Sequence, residues 1–247
     1  MNGDKTENVS VNDALKMLLE RHVENLDNWA VNMKTIIVMH RALQNIHINK
    51  AINKKLFKNN KLLQPYQNKN PHNKFDIKMY IDISSKYTKY LKYYMACCLK
   101  SDLLTNPTKT YADEICKLET KELLDNYDYF KDLSTQIFTI FQNANFCKET
   151  RLMSNVIYML LKDLMEIYRF YHNHITELLE RFPTFSSTEA TRAFRMYKNF
   201  VTLTDALKNK GNKLIYLFNF PLTLPDFYKP DVELMDTLEA IVASLQD

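Results

Sequence analysis

Apolar side chains between positions 149 and 207 recur three and four residues apart, the spacing that keeps one face of an α-helix buried. The pattern predicts a helix of about 30 residues, which Pro183 ends because proline cannot continue a helix. A second helix follows, and at Gly211 we expect a left-handed C-terminal cap. Together the two helices predict a long antiparallel helical hairpin.

Helix starts are marked by capping residues. Ser186 and Glu189 have the S-x-x-E spacing of a capping box for the second hairpin helix, and Phe185 stands where a hydrophobic staple packs. Ser10 and Asn28 are predicted to cap the first two helices of the chain.

The middle and the end of the chain predict further helices. A lysine-rich helix is expected at about 50–57, followed by a polar loop at 61–74 that we expect to be exposed and mobile. A long helix is predicted at 76–104, and a closing helix at 234–245.

Glycine is rare, which narrows the fold class. The 247 residues include only Gly3 and Gly211. A doubly wound α/β sheet needs glycine at its tight turns and phosphate loops, so that class is excluded. We therefore predict an all-α array of antiparallel helices, forming a single domain over residues 1–247.

No pattern of catalytic or metal-binding residues is present. The four cysteines include the adjacent pair Cys97 and Cys98 but no C-x-x-C, which suits a reducing compartment. His172 and His174 lie about 200° apart around a helix, so they cannot hold one ion from one face. The sequence lacks H-E-x-x-H, G-x-S-x-G and Walker-type motifs. We predict a cytoplasmic protein that is not an enzyme and has no metal or cofactor.

Charge is unevenly distributed along the chain. The formal net charge is +4, but residues 46–100 alone carry 12 lysines against two aspartates, or +10. Residues 1–45 carry −1 and residues 101–247 carry −5. A concentrated cationic region of this kind indicates an anionic partner.

Five motifs carry a resemblance to a known family. They are W-x4-K-x5-H-R at 29–41, K-Y-T-K-Y-L at 86–91, L-K-D-L-M-E-I-Y-R-F-Y…I-T-E-L-L-E-R-F at 161–182, A-F-R-M-Y-K-N-F at 193–200 and L-M-D-T-L-E at 234–239. In this order and spacing they resemble the ANTH domain of the clathrin-assembly (CALM-like) endocytic adaptors. The resemblance covers about Leu15 to Leu245.

The resemblance implies a fold and a function. The fold is a right-handed solenoid of antiparallel helices that binds phosphatidylinositol 4,5-bisphosphate on the inner leaflet. Clathrin and its adaptor complex would bind through a C-terminal tail absent from these 247 residues, and the folded domain would hold R-SNARE helices as cargo. The protein would then be associated peripherally with clathrin-coated pits, vesicles or Golgi–endosomal membranes.

The sequence departs from the family at the lipid motif. That motif is a lysine followed, nine residues later, by K-x-[KR]-[HY], and nothing here matches it. Counting back from Trp29 places the family's first helix and most of its second before Met1. We therefore expect the N-terminal lipid-binding helix to be missing, and no lipid ligand is carried over from the family.

We place a candidate lipid contact on the lysine-rich segment instead. In an antiparallel array the turn at 45–50 lies at the same end as the missing first turn. The candidate lipid-binding residues are Lys50, Lys54, Lys55, Lys58 and Lys61. The alternative interpretation is a solvated face that reflects only a lysine-rich composition.

Two functions of other classes compete with membrane binding. One is a soluble helical scaffold that holds a partner helix of the R-SNARE type, without lipid, between the hairpin and the closing helix. The other is RNA binding by the interleaved lysines and tyrosines of 78–94. The tyrosines there have the spacing of core residues and the chain has no repeat of 30–45 residues, so no nucleic-acid partner is expected.

Overall fold

The computed structural model describes residues 10–45, 49–67, 76–100, 111–148, 150–229 and 231–245. These residues form ten α-helices and no strand, which confirms the all-α fold. The helices are α1 (Val11–Glu24), α2 (Trp29–Gln44), α3 (Asn49–Lys58), α4 (Asp76–Lys100), α5 (Tyr111–Ile115), α6 (Thr120–Phe141), α7 (Ala144–Cys147), α8 (Arg151–Arg181), α9 (Ser187–Phe218) and α10 (Val232–Ser244), with a 3₁₀ turn at Phe182–Thr184.

The chain divides into two compact units, residues 1–105 and 106–247. The first holds α1 to α4 and the second holds α5 to α10. The single domain expected over residues 1–247 stays a prediction.

The first unit is built around α2, which packs against α1, α3 and α4. His40 of α2 is fully buried, and its Nδ1 lies 2.8 Å from the hydroxyl of Tyr87 on α4. The rings of Tyr87, Tyr90 and Tyr94 stand edge-on around the imidazole, with centroids 5.6–5.7 Å away. These tyrosines are therefore core residues, as their helical spacing predicts, and their rings are not available to stack on RNA bases.

The second unit is built around α8, which contacts α5, α6, α7 and α9. Its buried face carries large aromatic rings at helical spacing. Phe170 packs on Phe130 of α6 at a centroid distance of 3.9 Å, and Tyr168 stacks on Phe200 of α9 at 5.7 Å. The apolar stripe that runs through α8 thus joins both neighbouring long helices.

The predicted hairpin and its caps are confirmed. α8 has 31 residues and α9 has 32, and Pro183 lies in the turn between them. The Ser186 side chain accepts from the Glu189 backbone N–H, and the Glu189 carboxylate accepts from the Ser186 backbone N–H at 2.9 Å. Ser10 and Asn28 cap α1 and α2 as predicted.

The predicted end of the second hairpin helix is wrong. α9 continues through Gly211 to Phe218, and Asn219 takes the left-handed cap with φ of 51°. Gly211 is buried inside the helix, where a Cβ atom would lie 3.0 Å from Leu224 Cδ2. The absence of a Cβ atom lets the Leu224 side chain pack closely on this part of the helix, and α9 does not end there.

The cysteines differ sharply in exposure. Cys97, Cys98 and Cys147 are buried, Cys116 is exposed, and all four are free thiols. Burial raises the pKa of the Cys147 thiol to about 12.

His174 provides the second unit with a buried titratable group. Its side chain is fully buried on α8, and its Nε2 lies 2.5 Å from the Leu123 carbonyl oxygen. Burial lowers the pKa of His174 to about 4, although the hydrogen bond to Leu123 opposes the shift. The imidazole is therefore neutral in the folded protein at neutral pH.

We predict that acid destabilises the fold through His174. Below its ordinary pKa of 6.5 the unfolded chain binds a proton that the folded chain cannot, so the free energy of unfolding falls as the pH drops from about 6.5 to 4. The loss from this residue is about 3 kcal/mol. Urea unfolding followed by far-UV circular dichroism at several pH values measures it.

The variant His174→Gln keeps a donor for the Leu123 carbonyl and removes the titration. Its unfolding free energy should therefore depend less on pH than that of the wild type. His172→Asn, at a half-buried position on the same helix, controls for the loss of an imidazole. An unchanged pH dependence in His174→Gln would contradict the prediction.

Candidate functional site

Helix α3 is anchored on one face and open to solvent on the other. Ile52, Asn53 and Leu56 are buried, and the Asn53 side-chain amide donates to the Met95 carbonyl of α4 at 3.2 Å. Because these positions follow the helical period, the intervening residues of α3 point away from the core.

Three of the predicted lysines share that open face. Lys54, Lys55 and Lys58 are exposed on α3 and are termed the lysine row, and Lys61 is exposed in the turn after it. None of these four forms an ion pair with a carboxylate of another described residue. Lys50 lies in the first turn of the same helix, but its side chain is outside the described part of the structure.

The lysine row borders an open groove of about 830 Å³ between α1 and α3. The apolar lining comes from Leu15, Leu19 and Val23 of α1 and from Leu62 after α3. Val23 and Leu62 are each 41% exposed, so apolar surface in the groove is open to solvent. This cavity is termed the α1–α3 groove.

The two walls of the groove differ in charge. The α3 wall carries the lysine row and no acidic residue, whereas the α1 wall carries Glu20, Glu24 and Lys16. Lys16 lies 3.8 Å from Glu20 on its own helix. One wall is therefore cationic and the other is mainly anionic.

A buried histidine fixes the segment that follows α3. His22 of α1 is fully buried, with Nδ1 2.9 Å from Thr35 Oγ1 of α2 and Nε2 2.9 Å from the Gln64 carbonyl oxygen. Burial lowers the pKa of His22, and the hydrogen bond to Gln64 opposes part of that shift. One imidazole thus joins α1, α2 and the segment after α3.

Further buried polar groups complete the attachment. The Asn32 side-chain amide donates to the Gln64 carbonyl at 3.3 Å, and Ser84 Oγ donates to Asn32 Oδ1 at 3.0 Å. The Tyr66 backbone N–H in turn donates to Ser84 Oγ at 2.8 Å. The set of His22, Asn32, Gln64, Tyr66 and Ser84 is termed the His22 network.

The loop expected to be exposed and mobile at 61–74 is exposed at Lys61, Leu62 and Gln67, but the expectation is wrong for two residues between them. Leu63 and Tyr66 are only 2% and 4% exposed, because the His22 network holds their segment against the unit. Residues 68–74 lie outside the described residues.

The site predicted for a partner helix lies in the second unit. There α10 packs directly on α9, with Leu238 and Val242 buried and Lys198 Nζ 3.0 Å from Glu239. A partner helix of the R-SNARE type between the hairpin and α10 stays a prediction.

Of two arginines near the start of α9, one is already paired with carboxylates. Arg192 and Arg195 line a cavity of about 410 Å³. Arg192 is held by Asp125 and Asp128, each at 2.9 Å, and Glu189 already occupies the helix N-terminus through the capping box.

No cluster of three or more His, Cys, Asp or Glu side chains among the described residues is arranged to hold a metal ion. None of the described helices is long and apolar enough to cross a membrane.

Comparison with known proteins identifies the family. A sequence model of the ANTH domain matches residues 5–242. The chain therefore belongs to the ANTH domain family, whose members are membrane- and phosphoinositide-binding adaptor modules of endocytosis. No curated protein matches the chain. The CALM-like subfamily and the missing N-terminal helix stay predictions.

The sequence pointed to the lysines but not to the residues that position them. Leu15 and Leu19 have the helical spacing of inward-facing residues, but that spacing does not reveal a groove beside α3. His22 and Ser84 make contacts 42 and 18 positions away. The local sequence signal for this network is a histidine, His22, placed on the apolar face of α1 beside Leu15, Leu19 and Leu26.

We predict that His22→Ala loosens the first unit. The change leaves the Gln64 backbone N–H without its acceptor and removes one hydrogen bond each from the Thr35 hydroxyl and the Gln64 carbonyl, which costs about 2 kcal/mol of stability. Trp29, the single tryptophan, stacks on Tyr80 at 4.1 Å and reports on this unit. Its fluorescence during urea unfolding should show an earlier transition.

The neighbouring Arg21→Ala is the matched control, because Arg21 is exposed. Equal unfolding midpoints for the two variants would show that His22 does not hold the segment.

Proposed function

We propose that the chain is a phosphoinositide-binding adaptor module that attaches peripherally to cytoplasmic membrane surfaces in clathrin coat assembly and clathrin-mediated endocytosis or vesicle budding. Membership of the ANTH family supports this class of function. The observation that carries the proposal is the exposed lysine row with Lys61 beside it, none of which forms an ion pair with another described residue. The proposed lipid is phosphatidylinositol 4,5-bisphosphate, and the proposed contact residues are Lys50, Lys54, Lys55, Lys58 and Lys61.

The electrostatic attraction sets the scale of binding. Each lysine near an anionic surface contributes about 1 kcal/mol, so five give roughly 5 kcal/mol. That corresponds to a dissociation constant between about 0.1 and 1 mM. Stable attachment therefore requires several contacts at once, from a multivalent lipid headgroup or from further anchoring points.

Contacts with clathrin and its adaptor complex are not proposed for the helical units. The resemblance assigns them to a tail and not to the helical domain. We therefore propose that the helical units supply the membrane contact, and coat recruitment is not attributed to their residues.

We predict that reversing the lysine row abolishes membrane binding. The triple variant Lys54→Glu, Lys55→Glu, Lys58→Glu changes three attractive charges into repulsive ones and should lose most of its binding to vesicles that contain phosphatidylinositol 4,5-bisphosphate. Wild-type binding should weaken as salt rises, because salt screens exposed charges. Co-sedimentation with vesicles that contain or lack this lipid measures both effects.

The matched control reverses three exposed lysines elsewhere, Lys148, Lys208 and Lys213. The two variants have the same net charge, so a non-specific charge effect would weaken both equally. Equal loss in both, or binding that survives reversal of the lysine row, would refute the proposed contact site.

A further inference from the structure

The α1–α3 groove has features that a lysine face for anionic lipid does not require. An anionic bilayer would satisfy the lysine row, but it would repel Glu20 and Glu24 on the opposite wall. It would also leave the apolar floor of the groove without a function. The groove is therefore complementary to a ligand that is apolar in the middle, acidic at one edge and basic at the other.

We propose that the α1–α3 groove binds a short amphipathic helix of another protein, whose apolar face is flanked by acidic residues on one side and by basic residues on the other. The acidic flank lies along the lysine row, and the basic flank lies along Glu20 and Glu24. The apolar face packs on the floor of the groove.

The spacing of the lining residues supports a helical occupant. Leu15, Leu19 and Val23 recur every four residues on α1, Lys54 and Lys58 are four residues apart on α3, and Leu62 lies in the turn beyond α3. Rows spaced by four on a helix are the ridges between which the side chains of another helix pack. The row on α1 extends over about 12 Å, or roughly two helical turns of contact.

Exposure and charge complementarity support the same occupant. Val23 and Leu62 keep 41% of their surface open, which favours a partner that buries them. The lysine row has no carboxylate on its own wall, so an acidic flank supplies the counter-charges.

The His22 network makes the groove a preformed site. It ties the segment bearing Leu62 to α1 and α2 through buried hydrogen bonds. A preformed groove binds with little loss of its own conformational freedom, which favours a short ligand.

The inference goes beyond the proposed membrane function and couples to it. The helix and an anionic headgroup both use the lysine row, so they compete for it. This competition rests on the proposed function, whereas helix binding does not.

The test uses three synthetic peptides, each labelled with a fluorophore and followed by fluorescence anisotropy. The first is an amphipathic helix with a leucine face, a glutamate flank and a lysine flank. The second replaces the glutamate flank with lysines. The third has the composition of the first, with its leucines distributed around the helix.

The first peptide should bind the full chain more tightly than the other two. The variant Val23→Gln, Leu62→Gln should weaken that binding by at least about fivefold, because it removes the exposed apolar lining. Met17→Gln, Val38→Gln is the control, since both positions are exposed outside the groove at 64% and 49%. Circular dichroism confirms that both variants stay folded.

Charge reversal of the lysine row provides the second measurement. The triple glutamate variant should bind the first peptide more weakly and the second more tightly than the wild type does. The new glutamates repel the glutamate flank of the first peptide and attract the lysines that replace it in the second. A gain of binding cannot arise from unfolding.

Several outcomes would overturn the inference. It fails if the first peptide does not bind or binds no better than the third. It also fails if the groove variant Val23→Gln, Leu62→Gln and the control variant Met17→Gln, Val38→Gln bind the first peptide equally well. Vesicle binding separates the two proposals. If the chain binds vesicles but not the first peptide, only the proposed membrane function stands. If it binds the first peptide but not vesicles, only the proposed helix site stands.

Discussion

The neutral imidazole of His22 is the contact on which the first unit depends. It lies out of water between a threonine hydroxyl and a backbone amide group, and so joins two helices to a segment that has no secondary structure of its own. Buried polar groups must be paired, and an irregular segment has backbone groups that no helix satisfies. The histidine meets both requirements at one point.

The His22 contact positions one end of the candidate site. Gln64 and Tyr66 are fixed by His22 and Ser84, and Leu62 lies just before them at the end of the α1–α3 groove. The lysine row itself is placed by α3, which packs on α2 and α4. The charged face is therefore a property of α3 alone, whereas the end of the groove at Leu62 adjoins a segment that is tied to His22, 42 positions away.

The second unit is centred on one long helix. Here α8 carries a continuous apolar stripe that packs against four other helices. Buried polar contacts join it to α6 as well, since His174 contacts the Leu123 carbonyl and the Tyr171 hydroxyl donates to the Tyr127 carbonyl. Both units therefore combine apolar packing with buried hydrogen bonds.

Much of this fold follows from local sequence pattern. The α8–α9 hairpin was predictable because helical periodicity, Pro183 and the capping box all act within a few residues. The lysines of α3 were likewise visible as a charge cluster. The motifs shared with the ANTH family added what periodicity could not, namely the order of the helices.

The failures have a common physical cause. Gly211 resembles a cap locally, but it lies inside α9 with the Leu224 side chain packed against it, and the true cap is Asn219. The segment after α3 is polar and rich in turn residues, yet it is held by side chains from α1 and α4. Close approach between distant segments decided each case, and a single sequence does not record such contacts.

The distribution of thiols has a practical consequence for the study of this protein. Cys97, Cys98 and Cys147 are buried, and the high pKa of Cys147 keeps it from forming a nucleophilic thiolate. Cys116 alone among them is exposed, and its carbonyl accepts a hydrogen bond from Arg181 at the end of α8. A maleimide dye should therefore attach selectively at Cys116, which makes the native chain suitable for distance measurements from Trp29 without any engineered cysteine.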